Sequence, residues 1–514
     1  MIAPDDPTNP NRPTDRADAP WHAAPADPWA SEAPIDPWTG TGGVAGVAAT
    51  TDAVATVDAP PAPAGAQAPR PAANGGRRGW LLALGAAGVV IVLAAATAAV
   101  IWWRSGDQAV EFTQLSGPKF VPTGEENTYY TYARTAVTDE RAYLAWVSGD
   151  NIKVTGADLE SGKPVKQPVT VGPGDEVEGL VPVADALVMY VNTRSPSGKA
   201  IYVLDAATLA TRWQRTLGAN EWIETFSSYV VLVDPDADRL RRVDVKGTGS
   251  DVWNKQFEGA TLRLEEPVGN ASAPAWLNGY PLAASADRKL LVIKDGTIQV
   301  VDPASGDTTS TVTGIPSTSS TLAAGGVFYA IRYNSNGYEV QAFDLSGKQQ
   351  PKTVYSAEPK AYLDELSLCG GGVCVTQTIT GTQGVTVVAL PTGDEATPRW
   401  QLPFSDVDGI TALGDETMVI DASDAHTWIV GEDGKVRYDR TARIGTRVTS
   451  GSVLLWSALG SSAASVGLEG YTVADTSARP LGTADGVYAS RCTWSTRVLA
   501  CPAGDGLAWW TFAE

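Results

Sequence analysis

A short β-rich unit that recurs along the chain limits the fold more than any other feature of this sequence. In each copy an alternating apolar run ends at an aspartate or proline, and a few small or polar residues, often including a glycine, separate it from the next run. The clear copies are 201–213, 242–253, 300–306, 342–347 and 388–400. An aspartate shortly before a glycine indicates a tight turn, because the carboxylate can accept backbone hydrogen bonds and glycine can take a positive φ.

The copies recur roughly every 40 to 50 residues, with weaker ones around Asp158, Asp433 and Asp475. No helix-length amphipathic segment interrupts them, so the region is predicted to be all-β. Four-stranded units of this length are typical of a β-propeller, in which small sheets called blades surround an axis. Eight copies predict about eight blades, with seven or nine left open.

Two irregularities add detail to this prediction. The step from Asp244 to Asp302 is longer than the others and predicts an insertion, for which Glu258–Tyr280 is the candidate. The segment 486–512 contains three further apolar runs. These would close the ring together with an N-terminal strand near Val110–Leu115.

The copies resemble the quinoprotein-type, PQQ-like propeller repeat, in which aspartate, glycine and tryptophan follow one another between the third and fourth strands of a blade. The likeness extends over roughly Tyr129–Phe512. Trp213, Trp253 and Trp400 stand at the tryptophan position, where they would pack between neighbouring blades. The resemblance implies a propeller over 129–514. It leaves the activity open, because that family contains calcium- and quinone-dependent dehydrogenases as well as cofactor-free binding scaffolds.

Residues 80–103 are predicted to form one transmembrane helix. The run Leu81–Ile101 carries no charged side chain, and at about 1.5 Å per residue it can cross a hydrocarbon core of roughly 30 Å. Tryptophans flank both of its ends, where aromatic side chains meet the membrane interface. Residues 104–128 would then be a linker that includes the ring-closing strand.

Arginines decide the expected orientation of this helix. Arg70, Arg77 and Arg78 precede it, and the positive-inside rule places the end that carries them in the cytoplasm. The chain would therefore be a single-pass protein of the cell membrane with its propeller outside the cytoplasm. A cleaved signal peptide, with Ala96–Ala98 at the cleavage site, is the competing interpretation, but the apolar run is too long for a signal core.

Residues 1–79 are rich in proline, alanine and aspartate and show no helical or strand periodicity. They are predicted to be a disordered cytoplasmic tail. Trp21, Trp29 and Trp38 each follow a proline, and a proline-set backbone would present each indole at a low entropic cost. These tryptophans are candidates for docking a cytoplasmic partner. Compositional drift in a low-complexity segment is the alternative explanation.

The four cysteines form two close pairs, Cys369 with Cys374 and Cys492 with Cys501. Each spacing fits a disulfide that closes a hairpin, and neither has the CxxC spacing of a redox or metal site. Structural disulfides persist in oxidising compartments, which supports an extracytoplasmic propeller.

Composition argues against several classes of function. The 58 acidic residues exceed the 38 basic ones, and the propeller region has no basic run, so nucleic-acid binding is not expected. Of the two histidines, only His426 lies in the predicted propeller, and one histidine cannot build a three-histidine zinc site. The aspartates of Asp234–Asp238 have the opening spacing of a calcium loop, but arginine replaces its required glycine, which favours a hairpin turn. No metal or cofactor is expected.

The segments expected to connect successive blades are repeatedly acidic. Such linkers collect on one face of a propeller, so their carboxylates would converge there as exposed charges, and tryptophans lie in the same class of segment. The candidate ligand contacts are Glu221, Trp222, Glu265, Glu266, Trp276 and Asp364. The alternative is that an acidic protein simply places its charges in loops.

The sequence therefore predicts a membrane-anchored extracytoplasmic propeller that binds a protein or a cell-envelope polymer without catalysing a reaction. The alternative is an enzyme, either a PQQ- and calcium-dependent dehydrogenase or a propeller hydrolase that uses carboxylates alone. Many of the resembled dehydrogenases have adjacent cysteines beside the quinone. This sequence has none, which favours binding.

Overall fold

The computed structural model describes residues 109–124, 133–194, 197–265, 288–317, 320–391, 397–457, 464–475 and 477–514. Within these ranges the regular structure consists of β-strands and one short 3₁₀ helix, Ala489–Arg491. The all-β character predicted from the alternating runs is confirmed.

The strands follow one another in groups of four after β1 (Lys119–Pro122). Blade 1 consists of β2 (Arg134–Val137), β3 (Arg141–Ser148), β4 (Asn151–Asp158) and β5 (Pro164–Pro173). Blade 2 consists of β6 (Glu176–Val183), β7 (Ala186–Arg194), β8 (Ser197–Asp205) and β9 (Thr211–Leu217). Blade 3 consists of β10 (Trp222–Thr225), β11 (Tyr229–Asp234), β12 (Arg239–Asp244) and β13 (Asp251–Gln256).

The middle of the chain repeats the same arrangement. Blade 4 consists of β14 (Thr261–Leu264), β15 (Leu290–Lys294), β16 (Thr297–Val301) and β17 (Thr308–Thr313). Blade 5 consists of β18 (Thr321–Ala324), β19 (Val327–Asn334), β20 (Gly337–Asp344) and β21 (Lys352–Ser356). Blade 6 consists of β22 (Ala361–Cys369), β23 (Gly372–Ile379), β24 (Val385–Ala389) and β25 (Trp400–Phe404).

The C-terminal strands continue the series. Blade 7 consists of β26 (Gly409–Leu413), β27 (Glu416–Asp421), β28 (His426–Val430) and β29 (Val436–Arg440). Blade 8 consists of β30 (Ile444–Thr449), β31 (Ser452–Trp456), β32 (Ala464–Thr472) and β33 (Arg479–Val487). The last strands are β34 (Thr493–Trp494), β35 (Val498–Ala503) and β36 (Gly506–Thr511).

In the described part of the chain these strands form eight hydrogen-bonded sheets, of which seven have four antiparallel strands and one has eight. The large sheet consists of two halves, blade 8 and a closing blade made of β34, β35, β36 and β1. The halves join through the single pair Val487 and Ala503. The predicted propeller of about eight four-stranded blades is confirmed, and the ring has nine blades when the two halves are taken separately.

Neighbouring blades pack face to face through buried apolar clusters. One further cluster joins the closing blade to blade 1 and contains the fully buried indoles of Trp146 and Trp509. Burying a valine or leucine side chain contributes roughly 1.5–3 kcal/mol. Because each blade buries both of its faces, no blade is a stable unit without its neighbours, and the core is distributed around the ring.

The recurrent aspartates form the turns that the sequence predicted. Asp205 accepts the backbone amide of Thr208 at 2.9 Å, and Asp344 accepts that of Ser346 at 2.9 Å. Hydrogen bonds lower the pKa of Asp205 to about 2, and the bond from Arg212 has a larger effect than the bond from Thr208. These carboxylates therefore stabilise the turns between the third and fourth strands of their blades.

The tryptophans of the repeat pack between blades as predicted. The indoles of Trp213, Trp253 and Trp400 each lie against a glycine in the corresponding turn of the next blade. At Gly434, which receives Trp400, φ is +74°, and a Cβ would lie 2.6 Å from the tryptophan Cβ. Glycine is required there both by the backbone conformation and by the contact with the indole.

The aspartates 234–238 form a hairpin turn between β11 and β12, as the sequence favoured. Asp234 accepts the backbone amide of Ala237 at 3.1 Å and pairs with Arg239 Nη2 at 2.7 Å. The arginine that replaces the calcium-loop glycine is thus the ion-pair partner of the first aspartate.

The ring closes with an N-terminal strand, but not with Val110–Leu115. The strand that pairs with β36 is Lys119–Pro122, and residues 109–118 form a strap whose backbone bonds to the carbonyls of Leu481 and Phe512. The predicted position was wrong because the closing strand is the exposed outer edge of its blade. It buries one of its four residues and tolerates a proline there.

Both predicted disulfides are present. Cys369 and Cys374 bridge β22 and β23 with their Cα atoms 5.7 Å apart. Cys492 precedes β34 and is bonded to Cys501 in β35, with a Cα separation of 4.2 Å. Each bond fixes the inner hairpin of a blade.

Several predictions concern residues outside the described ranges. They are the tail 1–79 with Trp21, Trp29 and Trp38, the helix 80–103, and Glu266 and Trp276. Within the residues that the structure describes, no helix has the length and apolar character needed to span a membrane.

Candidate functional site

The connections between strands define two faces of the ring. The segments that join the fourth strand of one blade to the first strand of the next lie at one end, together with the turns between second and third strands. We term this end the linker face. The other turns, including the aspartate turns, lie at the opposite end, the turn face. The first strands lie nearest the axis.

Glu221 lies on the linker face but is only 3% exposed. Its carboxylate forms an ion pair with Arg241 of β12, itself 7% exposed, and accepts the Gly218 amide at 3.1 Å. Tyr190 of blade 2 donates its hydroxyl to the Glu221 carbonyl at 2.6 Å. The expectation of an exposed charge was wrong here, because the carboxylate forms a buried ion pair with blade 3 while the Glu221 carbonyl is hydrogen-bonded to blade 2.

Trp222 follows Glu221 at the start of β10 and is partly buried. Its indole packs against the cluster between blades 3 and 4, and Nε1 donates to Glu224 Oε1 at 3.2 Å. These contacts hold the indole against its own blade, and the side chain contributes to the packing between blades 3 and 4.

Glu265 lies on the turn face, opposite to its predicted position. It follows β14, the first strand of blade 4, and its carboxylate accepts the Gly326 amide from a turn of blade 5 at 2.7 Å. The long connection of blade 4 runs from β14 to β15. The predicted insertion therefore belongs within a blade rather than between two blades, and this moves Glu265 to the other end of the ring.

Asp364 is exposed on the linker face, in β22 of blade 6. Its Oδ2 accepts the Thr378 hydroxyl at 3.1 Å. The register of β22 shifts between Leu363 and Leu366. Asp364 is thus exposed on the face where the sequence placed it, and its role as a ligand contact stays a prediction.

Tyr362, two residues before Asp364 on β22, belongs to a group of three tyrosines that the sequence analysis did not single out, termed the tyrosine cluster: Tyr333, Tyr338 and Tyr362. The ring centroids of Tyr333 and Tyr338 are 4.9 Å apart, and those of Tyr338 and Tyr362 are 5.7 Å apart. Tyr333 is 71% exposed and Tyr362 is 46% exposed. Tyr338 packs against the apolar cluster between blades 5 and 6. The exposed rings thus contact a partly buried ring that is itself packed against the core.

Local sequence explains two of the three members of this cluster. Tyr333 and Tyr338 are opposite residues at the end of the β19–β20 hairpin. The turn between them contains Gly337 at φ +115°, and Asn334 Oδ1 accepts the Asn336 amide at 2.8 Å. Two tyrosines that bracket a turn signal were visible in the sequence. Tyr362 was not predictable, because it comes from the next blade.

His426 lies at the linker face of blade 7 in a packed position. Its Nε2 is 2.6 Å from Asp439 Oδ1, and its ring stacks on Trp428 with centroids 3.7 Å apart. Within the described ranges, no group of three or more histidine, cysteine, aspartate or glutamate side chains is arranged to hold a metal ion.

The sequence matches no protein-family model and none of the curated proteins. Among solved structures, the chain is similar to BamB from Moraxella catarrhalis, at 17% identity over 78% of this chain and 100% of that chain, with a TM-score of 0.38. The Dos1 propeller matches at 10% identity over 77% and 95% of the two chains, with a TM-score of 0.38. The WD40 domain of SCAP from fission yeast matches at 8% identity over 79% and 97%, with a TM-score of 0.34.

These similarities are distant, and the fold assignment rests on the sheets of the chain itself. The antiparallel four-stranded sheets follow one another in sequence and pack face to face. The ring closes where β1 pairs with β36. This arrangement is a β-propeller.

Proposed function

We propose that the chain is a membrane-anchored, extracytoplasmic propeller that binds a protein or a cell-envelope polymer through its linker face. The observation that carries this proposal is the tyrosine cluster. A tyrosine ring offers a large contact area at low conformational entropy, and its hydroxyl can hydrogen-bond to a ligand. Aromatic anchors of this kind dominate binding energy at protein interfaces.

The exposure of the cluster supports this role. Five large hydrophobic side chains are strongly exposed in the described part of the chain, and Tyr333 and Tyr362 are two of them. The other three, Phe120, Val252 and Val436, lie on different blades. Scattered single side chains of this kind are normal on a protein surface, whereas adjacent ones indicate an interaction site.

A photo-crosslinking amino acid in place of Tyr333 should capture the ligand in native membranes. The same amino acid in place of Val252, which is 53% exposed on β13, is the matched control. We expect crosslinked species at position 333 that are absent at position 252 and that decrease with Tyr338→Ala and Tyr362→Ala. Equal crosslinking at both positions would reject the linker face as the binding site.

The membrane part of the proposal rests on the uncharged run Leu81–Ile101 and the arginines before it. Two disulfides in the propeller fit an oxidising compartment. Protease added to intact spheroplasts should digest the chain after Arg104 and spare the tail, where Trp21, Trp29 and Trp38 would be free to dock a cytoplasmic partner. Immunoblotting with antibodies against each end distinguishes the fragments, and a protected propeller would reverse the proposed topology.

A further inference from the structure

We infer that the segment bound at the tyrosine cluster is a basic peptide whose arginine or lysine side chains stack on the tyrosine rings and pair with the carboxylates beside them. This inference rests on the proposed binding role of the linker face and specifies the class of ligand. It follows from the charges around the cluster.

The surroundings of the cluster are acidic. Glu358 lies in the linker directly before β22, and Asp364 lies two residues after Tyr362 on that strand; both are exposed. Within the described ranges neither carboxylate has a basic side chain in ion-pair distance. Burial, with the nearby charge of Glu358 as a second cause, raises the pKa of Tyr355 to about 12. Two segments surround the cluster: the end of the β19–β20 hairpin, 332–339, and the linker with the start of β22, 358–365. Their charged residues are Arg332, Glu339, Glu358, Lys360, Asp364 and Glu365.

Other carboxylates of the ring have a basic partner within the protein, on both faces: Glu221 pairs with Arg241 on the linker face. On the turn face Asp185 lies 3.1 Å from Arg212, and Asp251 forms an ion pair with Arg215. At the cluster, Arg332 is already 3.8 Å from Glu339. Among the described residues, Asp364 and Glu358 have no such partner and are open to a cation from outside.

Tyrosine rings and free carboxylates together favour a cationic side chain. A guanidinium can stack on an aromatic face and donate two parallel hydrogen bonds to a carboxylate. A neutral glycan would also stack on the rings, but it would gain little from unpaired negative charge. Acidic residues also outnumber basic ones in the propeller region, and this charge would attract a basic segment to the propeller.

The test uses the full chain in detergent and two synthetic peptides. One alternates arginine with glycine, and the other has uncharged citrulline in place of every arginine. We expect the citrulline peptide to bind at least ~10-fold more weakly. Tyr333→Ala combined with Tyr362→Ala should weaken binding of the arginine peptide by about 10-fold, whereas Tyr333→Phe should retain it.

Asp364→Asn should weaken binding of the arginine peptide, and the same change at Asp415, an exposed aspartate of the turn face, should leave it unchanged. Equal binding of the two peptides, or equal effects of the two aspartate changes, would overturn the inference. A neutral glucan oligosaccharide that binds and is lost in the double tyrosine variant would overturn the ligand class but keep the proposed face. Failure of the face itself would appear separately, as equal photo-crosslinking at positions 333 and 252.

Discussion

Replacing Glu221 with alanine is expected to lower the free energy of unfolding by about 3–5 kcal/mol. The change leaves the guanidinium of Arg241 without its carboxylate in a site where that side chain is 7% exposed, and a buried unpaired charge is strongly unfavourable. The amide of Gly218 loses its acceptor as well. Denaturant unfolding followed by tryptophan fluorescence would measure the loss.

Two further variants isolate the cause. Asp364→Ala removes an exposed carboxylate from the same face and should change the free energy of unfolding by no more than about 0.5 kcal/mol. Changing Glu221 to leucine and Arg241 to methionine together should recover most of the loss, because a buried ion pair can be replaced by apolar side chains of similar size. A loss below about 1 kcal/mol for Glu221→Ala would instead indicate a hydrated pair.

Replacing Phe112 with alanine is the second large effect, with an expected loss of about 3–5 kcal/mol. Phe112 is 4% exposed and belongs to the cluster that joins blade 8 to the closing blade. Its ring lies 6.0 Å from that of Phe512, and a Cβ on Gly470 would collide with it. The variant would leave a cavity beneath the N-terminal strap and weaken closure of the ring.

A double-mutant cycle with Gly470 tests whether this contact is the cause. Gly470→Ala should destabilise the native chain because its new methyl group collides with the ring of Phe112. In the Phe112→Ala background the same change should cost less, since the cavity can hold the methyl group. Additive effects of the two substitutions would show that Phe112 stabilises the ring through other contacts.

The repeat pattern was sufficient to predict the architecture. Alternating runs, aspartate turns and following tryptophans are local signals, and they predicted the order of the strands and the packing of Trp213 and Trp400. The disulfides were predictable for the same reason, because the members of each pair are close in sequence. Repetition strengthened every local signal, since the blades use the same turn chemistry.

The candidate site was predicted less well. Acidic linkers indicated the correct face for Asp364, but charge alone could not show that Glu221 is buried, because its partner Arg241 approaches from the third strand of the blade. Glu265 was assigned to the wrong face because a long connection can lie within a blade or between two blades. The length of a repeat does not distinguish the two cases.

The sequence by itself determined the all-β class, the blade repeat, the two disulfides and the acidic character of the linkers, because each depends on residues near one another in the chain. The tertiary structure decided which of those acids are exposed, which strand closes the ring, and that Tyr362 joins Tyr333 and Tyr338. Each of these facts is a contact between separate strands or blades. Gly470 and Phe112 show why such contacts cannot be predicted from local sequence. Position 470 must be glycine because a side chain there would collide with the ring of Phe112. No pattern around either residue specifies the other.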